Sequence, residues 1–181
     1  MALLTPLYTL PPLADSDSIR DFLAARGIAY ERWDVPSEVA AIAAQERVSD
    51  ADKARLIELF QDKLAEKAAT AGYKSADVVA IRKDLPGVDD ALARFDKVHY
   101  HDDDEVRAIV GGAGIFGFVG GDGRQFTLRL EAGEYISVPA GAWHWFYCDD
   151  RKNVTSIRLF KDQPSWVAHY RSNEPGPTAG R

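Results

Sequence analysis

The sequence predicts a mainly β domain with accessory helices, and three observations carry that expectation. Short β-like segments recur at 98–101, 105–110, 114–119, 125–130, 134–138, 144–148 and 154–160. Gly-rich or Asp-rich turns such as Gly111-Gly112 and Gly120-Gly121-Asp122-Gly123 separate them, the cadence of a sandwich or barrel. Helical periodicity lies mostly in the first 72 residues, and no internal repeat or linker divides the chain. Residues 1–171 are therefore expected to form a single domain, in which helices over about 15–72 decorate a barrel over about 76–171. The Pro/Gly-rich stretch 172–181 has little apolar content and reads as a disordered tail.

Each element has a local reason. After a proline-punctuated entry, Asp15 to Arg26 reads as a short helix that Ser16 or Asp17 can cap, with Ile19, Phe22 and Leu23 on one face and Gly27 as its stop. A strand over Ile28 to Trp33 follows. Pro36 to Val48 offers a further helical turn or two, although its apolar signal is mostly alanine. Asp50 to Ala71 reads as one helix, with Leu56, Ile57, Phe60 and Leu64 at helical spacing and Gly72 as its stop. The Val- and Ile-rich segment Asp77 to Arg82 is strand-like, and after the break at Leu85-Pro86-Gly87 a short helical piece leads into Phe95.

Composition narrows the function classes. At 181 residues the chain can bury roughly 70% of its unfolded surface in one core. No apolar run approaches the ~20 residues that would span a bilayer, so no membrane association is expected. The first twenty residues lack the basic start and unbroken apolar run of a secretory signal, and a cytoplasmic protein is expected. A lone cysteine, Cys148, cannot staple the fold and reads as a small buried filler. The net charge of -6, with no Lys/Arg cluster, argues against nucleic acid as a partner. Nothing in the composition argues for an extended apolar interface, and the expectation of a monomer rests on the family resemblance given below.

Three of the four histidines fall into two spaced clusters. His99 and His101 stand at i and i+2, which on a strand places both imidazoles on one face. Asp102 to Asp104 reads as a turn, and an antiparallel return would bring Glu105 back beside His101, with Arg107 pointing to the same interior. The second cluster, Gly133-x5-Pro139-x-Gly141-x2-His144, sets a tight turn that presents His144 at the start of a strand, with Phe146 on its face. Three imidazoles and one carboxylate suit Fe(II), Ni(II), Co(II) or Mn(II), and an octahedral ion held by them keeps two positions open for a bidentate substrate. A structural zinc site would be closed and cysteine-rich.

The pattern HxH(x)3E followed by Gx5PxGx2H resembles the two motifs of the cupin superfamily at every metal-binding position, which implies a double-stranded β-helix, or jelly-roll, barrel. Cys148 stands where those motifs usually carry an asparagine. Over most of its length the chain also resembles the bacterial acireductone dioxygenase family. The resemblance rests on Gly27-Ile28-Ala29-Tyr30-Glu31-Arg32-Trp33, Gly72-Tyr73, Asp77-Val78-Val79, Phe95-x3-His99-x-His101-x3-Glu105-Val106-Arg107, Ile136-Ser137-Val138-Pro139-Ala140, His144-Trp145-Phe146, Ile157-Arg158-Leu159-Phe160 and Trp166-Val167-Ala168. In one departure, Val98 stands where the family commonly places a glutamate, directly before the first metal histidine.

The resemblance implies one Fe2+ or Ni2+ per chain, held by His99, His101, Glu105 and His144. It implies cleavage of 1,2-dihydroxy-3-keto-5-(methylthio)pentene by O2 in methionine salvage, the substrate chelating the ion as a dianion. Iron would yield 4-methylthio-2-oxobutanoate and formate; nickel would yield 3-methylthiopropanoate, formate and carbon monoxide. Arg107 is the expected catalytic cation, favouring the deprotonated substrate, with a rim salt bridge to one of Asp102 to Asp104 as its bland alternative. Val98 and Asp104, which flank ligands, are expected to bear on metal loading or local conformation. Phe95, by strand parity with His99, together with Phe146 and Trp166, would wall the substrate pocket or serve as plain core. Arg158 either reaches the site or pairs at the surface, and His169 is expected to be exposed or packing. Two other readings stand beside this one: a different cupin oxygenase, acting on a flavonol or a thiol, and a non-oxidative metal- or sugar-binding or isomerase cupin.

Overall fold

A computed structural model of the chain describes residues 1–161 and 167–178. The elements in chain order are β1 (Leu3–Pro6), α1 (Ser16–Ala24), β2 (Ala29–Arg32), α2 (Ser37–Ala43), α3 (Asp50–Leu59), α4 (Gln61–Ala71), β3 (Ser75–Ile81), α5 (Val88–Phe95), β4 (Lys97–Tyr100), β5 (Glu105–Val119), β6 (Gln125–Glu131), β7 (Glu134–Val138), β8 (His144–Tyr147), β9 (Val154–Phe160) and β10 (His169–Pro175). All strand pairings are antiparallel, in the orders β1-β6-β5-β8-β4-β10 and β2-β7-β5-β9-β3. The long strand β5 belongs to both sheets. These face each other across one buried cluster, to which Leu4, Phe116, Phe126, Leu128 and Phe146 contribute from one side and Tyr30, Ile109, Ile136, Val138 and Val154 from the other. The result is the expected jelly-roll barrel of the cupin type, with α1 adding Ile19 and Leu23 to its interior.

A second cluster lies on the outer face of the β2-β7-β5-β9-β3 sheet. Val106, Ala108 and Val110 of β5, Tyr135 of β7 and Ile157 and Leu159 of β9 pack there against Val39 and Ile42 of α2 and Leu56 of α3. Strand alternation therefore buries both faces of this sheet, one inside the barrel and one beneath the helices.

Several local expectations are corrected. Asp15, rather than Ser16 or Asp17, caps α1, its carboxylate accepting the Ser18 N–H. The helix expected over 50–71 is two helices that meet at Phe60, whose backbone leaves helical geometry (φ -108°, ψ 12°). The break turns this 3% exposed ring into the outer cluster, 5.9 Å from the ring of Trp33. No turn separates 105–110 from 114–119. Gly111-Gly112 is instead the bend where β5 leaves β7 and β9 for β6 and β8, with a register shift between Ile109 and Gly111. Gly112 takes φ +67°, and a Cβ at Gly111 would lie 2.3 Å from the Ala43 Cβ.

The expected disordered tail, 172–181, is corrected over its described part, while 179–181 lie outside the described residues. Ser172 to Pro175 continue β10 along β4, with Tyr170 opposite His99 and Pro175 opposite Lys97, and the Gly176 N–H donates to the Asp96 carbonyl (2.6 Å). These side chains are mostly exposed, so composition carries no sign of order; the stabilising contacts are backbone bonds to the edge of β4. Among the described residues no helix is long and apolar enough to cross a membrane.

Candidate metal centre

The two histidine clusters meet because β4 and β8 pair, with His99 and His144 directly opposite each other. His101 lies just past the end of β4 and Glu105 opens β5. One potential ligand atom from each of these four side chains lies within 4.8 Å of every other, and all four residues are buried. The imidazole ring centres are 4.5 to 5.2 Å apart. Such an inward-facing set of buried donors fits a divalent ion, since burying unpaired charge and imidazoles together is otherwise costly.

The orientation of the rings comes from backbone. Nδ1 of His99 lies 2.6 Å from the Lys97 carbonyl, that of His144 2.8 Å from the Ala142 carbonyl, and that of His101 2.9 Å from the Val167 carbonyl. A carbonyl oxygen can only accept, so each Nδ1 carries the proton and donates, which leaves Nε2 as the ligand nitrogen. Glu105 Oε2 lies 2.7 Å from His144 Nε2 and 3.3 Å from His101 Nε2, while its Oε1 accepts from Arg107 Nε at 2.8 Å.

Burial of Glu105 alone would raise its pKa, but the Arg107 charge and the imidazole bonds outweigh burial and hold the carboxyl well below its ordinary range. Burial, reinforced by the charge of His144, pulls His99 down to about 4, which keeps this imidazole neutral and available for coordination near neutral pH. At His101 burial acts in the same sense, and the bond to Glu105 reverses it, so its pKa rises.

His99, His101 and Glu105 line a cavity of about 340 Å³, with Phe95, Arg107, Phe146, Arg158 and Tyr170 among its other lining residues. The volume suits a small metabolite. Phe95 reaches the cavity from the C-terminal residue of α5, not from an extension of β4, and it is 42% exposed at the mouth. Phe146 does lie on the His144 face, buried and edge-to-face with Phe116 at 5.0 Å. Arg158 satisfies both alternatives: it lines the cavity and also donates to the Asp77 carboxylate (Nε to Oδ1 2.7 Å). It stands directly opposite Arg107 across the β5-β9 pair.

Asp104 is tied elsewhere, accepting from the Ala140 N–H at 3.2 Å and pairing with Lys161 at 2.7 Å, so it joins the loop before Glu105 to the turn before His144. Val98 is buried on the face of β4 opposite His99. His169 bonds Asp102 at 2.7 Å and stacks on Tyr100. Trp166 lies outside the described residues.

Sequence reasoning missed Arg94 and Tyr170 at the cavity and all three carbonyl acceptors. Two of those acceptors stand two residues before their histidine, an offset readable in principle from the strand. The third joins segments 66 residues apart and leaves no local trace.

An antiparallel jelly-roll barrel whose mouth gathers three imidazoles and a carboxylate defines a metal-binding cupin. Within that class the family model described as the ARD/ARD′ family matches residues 25–168, and the chain belongs to this family, the acireductone dioxygenases. The chain is 37% identical to an acireductone dioxygenase of Leptospira interrogans over 170 residues, 94% of this chain and 96% of that one. It is 38% identical to one of Geobacillus kaustophilus over 171 residues, 93% and 94% of the two chains. In structure it is similar to an acireductone dioxygenase from Bacillus anthracis with a cadmium ion in its active centre, with a TM-score of 0.87, 35% identity, and coverage of 94% of this chain and 98% of that one.

Proposed function

We propose that this chain cleaves acireductone, 1,2-dihydroxy-3-keto-5-(methylthio)pentene, with O2 in methionine salvage, using one Fe2+ or Ni2+ held by His99, His101, Glu105 and His144. The observation that carries this reading is the convergence of these four buried donors, three of which, His99, His101 and Glu105, line a cavity that also presents Arg107. A divalent ion there supplies a Lewis-acid template for a chelating enediolate. With iron the products are 4-methylthio-2-oxobutanoate and formate; with nickel they are 3-methylthiopropanoate, formate and carbon monoxide.

The chain's own groups prepare that chemistry. The carbonyls of Lys97, Ala142 and Val167 fix the imidazole tautomers and aim each Nε2 inward. Arg107 keeps Glu105 ionised and places a cation beside the position a dianionic substrate would take, which favours its deprotonated form. Phe146, with the more exposed Phe95, provides apolar surface for the methylthioalkyl arm and excludes water there, and Trp166 is proposed as a further substrate contact from the sequence resemblance alone. Arg158 adds a second cation for substrate oxygens, and Val98 and Asp104 act on metal loading through the strand and loop that carry the ligands.

The family membership supports this reading over a flavonol- or thiol-cleaving cupin and over a non-oxidative one. Residues 1–171 are proposed to work as one domain, acting as a cytoplasmic monomer; light scattering tests the monomer. The deciding experiment mixes enzymatically generated acireductone with metal-loaded protein without oxygen and then admits oxygen. Formate formed in step with oxygen uptake is the expected result. Substrate loss no faster than in a chelator-treated control excludes the reading. Elemental analysis of protein from its own host, with carbon monoxide detection, assigns the ion.

A further inference from the structure

The chain carries a net charge of -6, so its far field repels an anionic substrate. The cavity reverses that sign: Arg94, Arg107 and Arg158 all line it, while Glu105 is the only carboxylate among its described lining residues. The three guanidiniums differ in how they are held. Arg107 is bonded to Glu105 and is largely buried. Arg158 is bonded to Asp77 on the neighbouring strand. Arg94, in the last turn of α5, is exposed and makes no ion pair with any described residue.

We propose that Arg94 is a substrate-capture residue: the exposed outer cation of the mouth, which draws an enediolate or comparable small dianion out of solution and hands it inward towards Arg107 and the metal ligands. A long side chain with an unneutralised charge at the entrance of a low-dielectric cleft is placed to act at range, where field lines converge. Its inner counterparts are already committed to carboxylates and act only at contact. The proposal rests on the acireductone reading for the identity of the dianion, but not for the binding of a dianion as such.

The alternative role for a basic residue in a helix's last turn is to offset the helix dipole, which would register in stability and not in substrate capture. Three variants of the full, metal-loaded chain separate these roles: Arg94→Gln, Arg94→Lys, and Arg124→Gln as a control that removes one positive charge from the β5-β6 turn. Steady-state rates are measured with acireductone and O2 across a salt series from about 20 to 500 mM, where the screening length falls from tens of ångströms to a few. In parallel, calorimetry measures oxalate, an unreactive bidentate dianion, binding to each protein.

For Arg94→Gln the expected results are a KM increase of about 3- to 10-fold at low salt, kcat within about twofold, and a flattened salt dependence of kcat/KM, on the scale expected for electrostatic steering. Oxalate affinity should fall in proportion, Arg94→Lys should recover most of the loss, and Arg124→Gln should match the parent. An unchanged KM, oxalate affinity and salt slope in Arg94→Gln would overturn the proposal. So would a lower Tm with no change in KM, or an equal effect from Arg124→Gln. If the parent protein turns over no acireductone, the functional reading fails, and the oxalate titrations still decide the role of Arg94.

Discussion

Along β5 the outward residues Val106, Ala108 and Val110 lie in the cluster beneath α2 and α3, whereas Glu105 and Arg107, one residue out of phase, face the metal cavity. Both sets are buried or nearly so, yet they are stabilised by different physics. The outer face gains from apolar area and shape, a non-directional term that tolerates substitutions of similar volume. The inner face buries charge that is tolerable only because each group has a specific partner: Glu105 with Arg107 and two imidazoles, Arg158 with Asp77. One strand thus separates fold from chemistry by parity alone, and substitutions on the two faces should fail in different ways.

The sharpest break is expected at the ligands. His144→Ala or His99→Ala should reduce bound metal to background by elemental analysis and abolish oxygen-dependent turnover, with circular dichroism unchanged. Full metal content in either variant would show that the ligands lie elsewhere. Arg107→Ala should retain the metal and lower kcat by on the order of 10²- to 10³-fold, the usual loss for a positioned charge-stabilising group; unchanged kinetics would reduce Arg107 to a structural partner of Glu105.

The outer face should show the converse. Leu56→Ala, which empties a fully buried site beneath the helices, is expected to cost about 2–5 kcal/mol in urea denaturation while leaving kcat within about twofold. Gly111→Ala tests the bend that joins the two faces: its methyl would be driven into Ala43, and a loss of about 1–3 kcal/mol is expected, with metal content retained.

The smallest effect concerns Cys148, whose thiol burial pushes up to about 12 from an ordinary value near 9. Because the folded value lies above the unfolded one, its contribution to stability is full below pH 9 and is lost as pH rises from 9 towards 12. Native protein at pH 8 should therefore react slowly with a thiol-specific disulfide reagent and rapidly once unfolded. Fast native labelling would place Cys148 on an accessible face.

How much of this was legible beforehand varies with the range of the interactions. Strand period 2 puts His99 and His101 on one face and the turn at Gly141 presents His144 at the start of a strand, but that the two clusters meet, as the β4-β8 pair has them do, is implied by the resemblance to the cupin motifs and not by local spacing. The inward parity of Arg107 follows in the same way from Glu105. Phe95 was assigned to the cavity by an extended strand and reaches it from a helix end instead. Continuous helical spacing over 50–71 concealed the break at Phe60, since the cause is a pocket beside Trp33 rather than any helix-breaking residue. Gly111-Gly112 reads locally as a turn, and only packing against Ala43 and Asn153 makes it a bend within one strand.

Residue identity and spacing were thus enough to single out a candidate donor set and a β-rich domain with helices outside it, because donor chemistry and strand alternation are local properties, while the family and the cupin barrel came through the motifs the chain resembles. Folding in three dimensions settled the rest: the Val167 carbonyl that orients His101, the Asp77 partner of Arg158, the Arg94 guanidinium at the entrance and the ordered edge strand through Pro175. Each joins segments distant in sequence or depends on backbone atoms common to every residue, and neither leaves a signature in the order of side chains.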